Sequence, residues 1–117
     1  MSVHHQPNQF VWSDLAATDS EKARDFYAGV FGWTVDSIGL GDGREYTTFK
    51  SGDVAICGML PLTEAERTLG GSSFWTPYIQ SPDVAQTAAV ARMNGAAVLV
   101  DPFEMGAQGK VSILQDP

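Results

Sequence analysis

A chain of 117 residues with 44% hydrophobic and 18% charged side chains has the size and composition of one globular domain, able to bury a core without disulfides or a structural metal. The net charge is −7, and Lys22, Arg24, Arg44, Lys50, Arg67, Arg92 and Lys110 are scattered singly. That pattern argues against nucleic acid as a partner, and no run nears the ~20 apolar residues of a membrane span. The start MSVHHQPNQF lacks a secretory pattern and Cys57 has no second cysteine to pair with, so the expected compartment is the cytoplasm.

Residues 1–8 read as a polar tail. Both histidines, His4 and His5, lie in it, which leaves the folded part without a histidine base or a Ser-His triad. Gln9 to Leu15 reads as a strand. Thr18-Asp19-Ser20-Glu21 has the T-x-x-E form of a capping box, predicting a helix over Ser20–Phe31. Ala23, Phe26, Tyr27, Val30 and Phe31 then form one apolar stripe, read as the layer that covers a sheet, and Gly32 stands where a left-handed cap belongs. Strands follow over Trp33–Ile38, Glu45–Lys50 and Val54–Leu60, with Ser51-Gly52-Asp53 as a hairpin turn. Gly39-Leu40-Gly41-Asp42-Gly43 precedes no helix, so it reads as a hairpin connection and not as a phosphate cradle. Cys57, in an apolar strand without a cationic neighbour in sequence, reads as an inert buried thiol.

Pro61 to Ser73 reads as a loop, after which the order restarts. Phe74 to Gln80 is a strand, Ser81-Pro82-Asp83 opens a helix over Pro82–Asn94 with the proline in its first turn, and Gly95 closes it. Ala97–Val100 and Lys110–Gln115 are strands. The helix starts Asp19 and Asp83 lie 64 residues apart and the caps Gly32 and Gly95 lie 63 apart, an internal repeat with modules at about 9–60 and 74–117.

The stretches WSDLAATDSEKARDFYAGVFGWTVD, VAICGMLP, FWTPYIQSPDVAQTAAVARMNGAAVLVDP and GKVSILQDP together resemble the vicinal oxygen chelate superfamily, which contains glyoxalase I, bleomycin resistance proteins and extradiol dioxygenases. The resemblance covers nearly the whole chain and is greatest to bacterial glyoxalase-like proteins often found as tandem domains. It implies an α+β fold: two βαβββ modules forming a curved, partly closed mixed sheet around a small-molecule cavity. Metal-using members carry a ligand on the first strand of each module, seven residues before the Asp that opens the helix. Those positions hold Trp12 and Thr76 in this chain, and the last strand of the first module offers Cys57 and Met59. The implied expectation is no metal and no cofactor. The resemblance also implies an eighth strand beyond Asp116-Pro117, so the edge Lys110–Gln115 is expected to be covered by a second copy, as a homodimer, or by more of a longer tandem-domain protein.

If Trp12 faces the cavity, alternation brings Phe10 and Asp14 to the same face and sends Val11, Ser13 and Leu15 to the other. By the same parity Thr76 brings Phe74, Tyr78 and Gln80, and the third strand adds Tyr46 and Thr48. The candidate ligand-binding set is therefore Trp12, Asp14, Tyr46, Thr48, Thr76, Tyr78 and Gln80, an aromatic pocket with a few hydroxyls, one amide and one carboxylate. Asp14 is the candidate catalytic group, or the anchor for a ligand's ammonium; the commoner reading of such an Asp is a rim residue paired with Lys or Arg. The first functional reading is a protein that binds or sequesters a small aromatic or cationic molecule, of the glyoxalase and bleomycin resistance type but without the metal. The alternative is a metal-independent lyase, isomerase or cyclase using Asp14 with Tyr78 or Tyr46. A metal-dependent glyoxalase-like or dioxygenase-like enzyme ranks third.

Overall fold

The computed structural model describes residues 7–41, 43–68, 70–104 and 109–117. His4 and His5 lie outside the described residues, as does Asp42 of the glycine-rich turn. The elements run β1 (Phe10–Ala17), α1 (Ser20–Phe31), β2 (Thr34–Gly39), β3 (Glu45–Ser51), β4 (Val54–Pro61), α2 (Glu64–Thr68), β5 (Phe74–Ile79), α3 (Val84–Met93), β6 (Ala97–Glu104) and β7 (Lys110–Gln115). This is a tandem βαβββ mixed-sheet architecture with sheets that are not fully closed. Two compact units form, Phe10–Ile79 and 80–117 with 7–9.

The first unit holds a five-stranded sheet in the order β2-β3-β4-β1-β5. β1 runs parallel to β4, with Asp14 beside Gly58 and Leu15 beside Met59, and the other pairs are antiparallel. β5 opens the second repeat in sequence, yet it pairs with the free edge of β1. The boundary between compact units therefore follows Ile79, whereas the repeats divide within 61–73.

Alternation sorts the sheet into two faces. Leu15, Ala17, Phe49, Cys57 and Met59 point to the side that α1 crosses and form the buried core, with Ala23, Tyr27, Trp33, Val35 and Ile56 packed against them. Tyr27 is the hub, its ring within 6.2 Å centroid distance of Phe26, Phe31, Trp33, Phe49 and Trp75. The expected stripe is thus only partly a covering layer. Phe26, Val30 and Phe31 are 57%, 57% and 58% exposed, because α1 meets the sheet through the small Ala23 and the single ring of Tyr27.

The start of α1 also differs by one residue from the capping-box reading. Asp19, not Thr18, is the N-cap, and its carboxylate accepts from the Lys22 N–H at 3.0 Å, while Thr18 turns to Ser73. Gly32 ends the helix at φ 71° and gives its N–H to the Ala28 carbonyl, a left-handed cap that a side chain would strain. Within the expected loop lies α2, opened by a true capping box. The Thr63 N–H donates to Glu66 Oε1 at 2.8 Å, and the Glu66 N–H donates to Thr63 Oγ1 at 3.2 Å.

In the second unit α3 packs on the antiparallel hairpin β6–β7 and buries Ala88. Asp83 caps α3 by accepting from the Gln86 N–H at 3.0 Å, so Pro82 precedes the cap and lies outside the first turn. β6 runs four residues past Val100; Pro102, which has no N–H for the ladder, sits at the register shift between Val100 and Phe103.

Candidate active site

The face of the first sheet turned away from α1 is built by cross-strand register. Asp36, Thr48, Gly58, Asp14 and Thr76 are successive Cα partners across β2, β3, β4, β1 and β5, so they form one row on one face. Trp12 pairs with Tyr78 one step along, and Tyr46 lies two residues from Thr48 on the same side of β3. Asp14 is the centre of this group. The Tyr46 hydroxyl donates to Asp14 Oδ1 at 2.7 Å, the Trp12 indole Nε1–H donates to the same oxygen at 3.0 Å, and the indole also lies 3.1 Å from the Tyr46 oxygen. Among the described residues, the carboxylate takes its hydrogen bonds from aromatic side chains, a different environment from the rim ion pair that a surface Asp usually finds. Asp36, at the far end of the row, is the one that pairs with a cation, Lys50 Nζ at 3.0 Å.

Burial, then the hydrogen bond to Asp14 and its charge, push the Tyr46 phenol well above its ordinary value. Burial, then the Asp14 charge and a hydrogen bond to Asp14, push Tyr78 up to about 12. Both phenols therefore remain neutral hydrogen-bond donors throughout the physiological range. On the opposite face, burial followed by the Asp14 charge pushes the Cys57 thiol up to about 11, which keeps it an un-ionised core side chain.

The structure thus brings Trp12, Asp14 and Tyr46 into direct contact, sets Tyr78 beside Trp12 and Thr76 beside Asp14, and places Thr48 on the far side of Gly58 in the same row. One member of the set, Gln80, and one residue expected on the same face, Phe10, are placed differently. Gln80 falls beyond the end of β5, in the other compact unit, where its main chain bonds to Asn8 and Gln9. Phe10 loses its expected parity, because the register slips between Phe10 and Trp12 and leaves Phe10 opposite Ile79. Gly58 was overlooked by sequence reasoning. A Cβ built there would overlap the Tyr46 hydroxyl and come within 2.6 Å of Asp14 Oδ1. A glycine inside an otherwise apolar strand is the available signal for such an approach.

These residues do not fit a divalent metal. Cys57 and Met59, the β4 side chains suggested as donors, pair with Phe49 and Leu15 in the core, and β4 presents Gly58 to the site face. What converges there is an N–H and an O–H already directed at Asp14 Oδ1, and among the described residues Asp14 is the one carboxylate at this centre, where a divalent metal needs several anionic or imidazole donors. Among the described residues, no three His, Cys, Asp or Glu side chains gather as a metal cluster. Two clefts, of about 400 and 390 Å³, are lined by none of the side chains grouped around Asp14: one between the start of α1 and β3–β4, floored by Thr47 and Met59, the other along α3 in the second unit.

Comparison with known proteins identifies the class to which this βαβββ tandem belongs. The chain belongs to the Glyoxalase/Bleomycin resistance protein/Dioxygenase superfamily, whose model matches residues 7–117. It is 27% identical over 115 residues to CFP32 of Mycobacterium tuberculosis, named as a candidate glyoxylase, covering 97% of this chain and 42% of that protein. It is 25% identical over 121 residues to the anthracycline biosynthesis protein DnrV of Streptomyces peucetius, covering 95% and 44%. The chain therefore spans less than half the length of these relatives.

Among solved structures, the fold is similar to a hypothetical protein of Bacillus halodurans at TM-score 0.67 and 20% identity, covering 94% of this chain and 86% of that one. It is also similar to methylmalonyl-CoA epimerase of Streptomyces coelicolor at TM-score 0.63 and 18% identity, covering 94% and 89%. At these identities the likeness is one of fold. No helix among the described residues is long and apolar enough to cross a membrane.

Proposed function

We propose that the sheet face away from α1 binds a small aromatic carbonyl compound, and that Asp14 is the proton acceptor in a metal-independent lyase, isomerase or cyclase reaction. The observation that carries this reading is the Asp14 carboxylate fixed at one oxygen by Tyr46 and Trp12, among phenols that stay neutral. A base held by two donors is oriented before substrate arrives, so no reorganisation accompanies the transfer. When Asp14 takes a proton from the carbon beside a carbonyl, the C–H electron pair moves onto the carbonyl oxygen. The Thr48 and Thr76 hydroxyls are the neutral donors available on this face to that oxygen, while the Tyr78 phenol is engaged with Asp14. Returning the proton gives an isomer, loss of a neighbouring group gives an elimination, and attack on a second carbonyl closes a ring. The fold it shares with an epimerase and a relative named for anthracycline biosynthesis both support this reading. The buried thiol of Cys57 suits a reducing compartment, and we place the activity in the cytoplasm.

The runner-up is sequestration of an aromatic or cationic molecule without reaction, favoured by the convergence of both hydrogen bonds on the same Asp14 oxygen. Solvent exchange separates the two. In deuterated buffer, with β-diketones, acyl thioesters and hydroxyquinones as probes, the enzyme reading expects catalysed loss of the α-proton signal and a fall of about 10²–10⁴-fold in Asp14→Asn. A probe that binds tightly but exchanges no faster than in buffer alone would give the site to sequestration.

A further inference from the structure

We propose that Gly58 is a positioning residue of this centre, and that the space left by its missing side chain is where the Tyr46 hydroxyl reaches the Asp14 carboxylate. β4 lies between the strands that carry these two groups, and Gly58 is the Cα partner of both Asp14 on β1 and Thr48 on β3. Any side chain at 58 would therefore project between the base and the tyrosine that orients it. A Cβ at 58 would meet the hydroxyl and ring carbon of Tyr46 and Asp14 Oδ1, and all three are the outer ends of side chains. A substitution thus displaces the site and leaves the ladder in place. The glycine has no role in a turn, because it is not among the residues of positive φ and it lies inside a regular strand. Its cost is the weaker strand propensity of glycine; its consequence is a carboxylate oriented by a phenol that crosses over the intervening strand. The same gap explains why β4 offers nothing to a metal, since the one β4 position in the row carries no side chain.

The inference rests on the reading of Asp14 as the reacting carboxylate, but its test does not need that reaction. Phenolate absorbance titration of the whole chain reads the tyrosines directly. In the wild type Tyr46 ionises well above the ordinary value; in Gly58→Ala one tyrosine returns toward that value while the far-ultraviolet spectrum is kept. Solvent exchange into the probe carbonyls should fall at least tenfold in Gly58→Ala and in Tyr46→Ala, and the double variant should be no slower than the slower single one. A tyrosine titration unchanged in Gly58→Ala, or multiplicative losses in the double variant, overturns the proposal. If Gly58→Ala alone does not fold, the double variant decides. With the ring removed it should fold, and failure to do so shows that Gly58 serves the strand itself and contradicts a positioning role. If no probe exchanges in any variant, the function proposed above fails while the titration still judges Gly58.

Discussion

Thr48 and Phe49 are adjacent on β3 and live in different chemistries. Phe49 is fully buried beneath α1, among Leu15, Cys57, Met59 and the ring of Tyr27. Thr48 faces the other way, in the row that runs through Gly58 to Asp14. The same one-residue step separates Cys57 from Gly58, and Leu15 from Asp14. One face is apolar and held by packing, while the other is held by hydrogen bonds onto a single carboxylate. A strand read only for residue type merges the two. Read for register, it gives a core and a site on opposite sides of one sheet.

The comparison breaks most visibly at position 49. Phe49→Ala should cost about 3–5 kcal/mol of stability in chemical denaturation, since it empties the centre of the core. Thr48→Ala, one residue away, should cost under about 1 kcal/mol and show its effect in probe exchange instead. Equal losses of stability at both positions would mean that the second face is also core.

Alkaline pH should act through the site face. The Tyr78 phenol is raised to about 12 in the folded chain from an ordinary value of 10.0, so its contribution to stability is fully present below pH 10 and disappears as pH climbs through 12. Tyr46, raised further, adds to the same loss. Melting followed from neutral pH to pH 12 should fall in that window, and Tyr78→Phe should flatten the fall. A profile that is level in the wild type would contradict the burial of both phenols against Asp14.

Smaller effects sharpen the contrast at the core and its edge. Gly32→Ala places a side chain at φ 71° and should cost about 1 kcal/mol without altering exchange kinetics. Cys57, buried with its thiol raised to about 11, should resist alkylation at neutral pH until the chain unfolds. Rapid modification of the native protein would place Cys57 on the accessible face.

Much of the first repeat was legible because its signals are local. The Gly32 cap and the alternation Trp12, Asp14 each lie within one element, and the same period placed Thr76 and Tyr78 on the matching face of β5. What was missed depends on neighbours. Helical spacing shows that Phe26, Val30 and Phe31 share a face of α1, but not that Ala23 and Tyr27 would occupy the contact with the sheet. Phe10 was lost to a register shift that no spacing rule exposes, and Gln80 to a strand ending one residue early. The TEAE run at Thr63–Glu66 is a capping box legible within the 61–73 segment. Gly58 matters through what it lacks, and its meaning appears only when β1 and β3 are set on either side of it.

Each face of the sheet carries an indole, which allows the central claim to be tested in one titration. Trp12 donates its Nε1–H to Asp14 on the site face, and Trp33 packs on the core side against Tyr27 and Phe49. The indole N–H resonances should be followed by NMR while the carbonyl probe that exchanges fastest is added. The account predicts that the Trp12 resonance moves, that the Trp33 resonance stays, and that Asp14→Asn abolishes the response. Movement of Trp33 with Trp12 unchanged would place the binding site on the α1 side of the sheet and contradict the account.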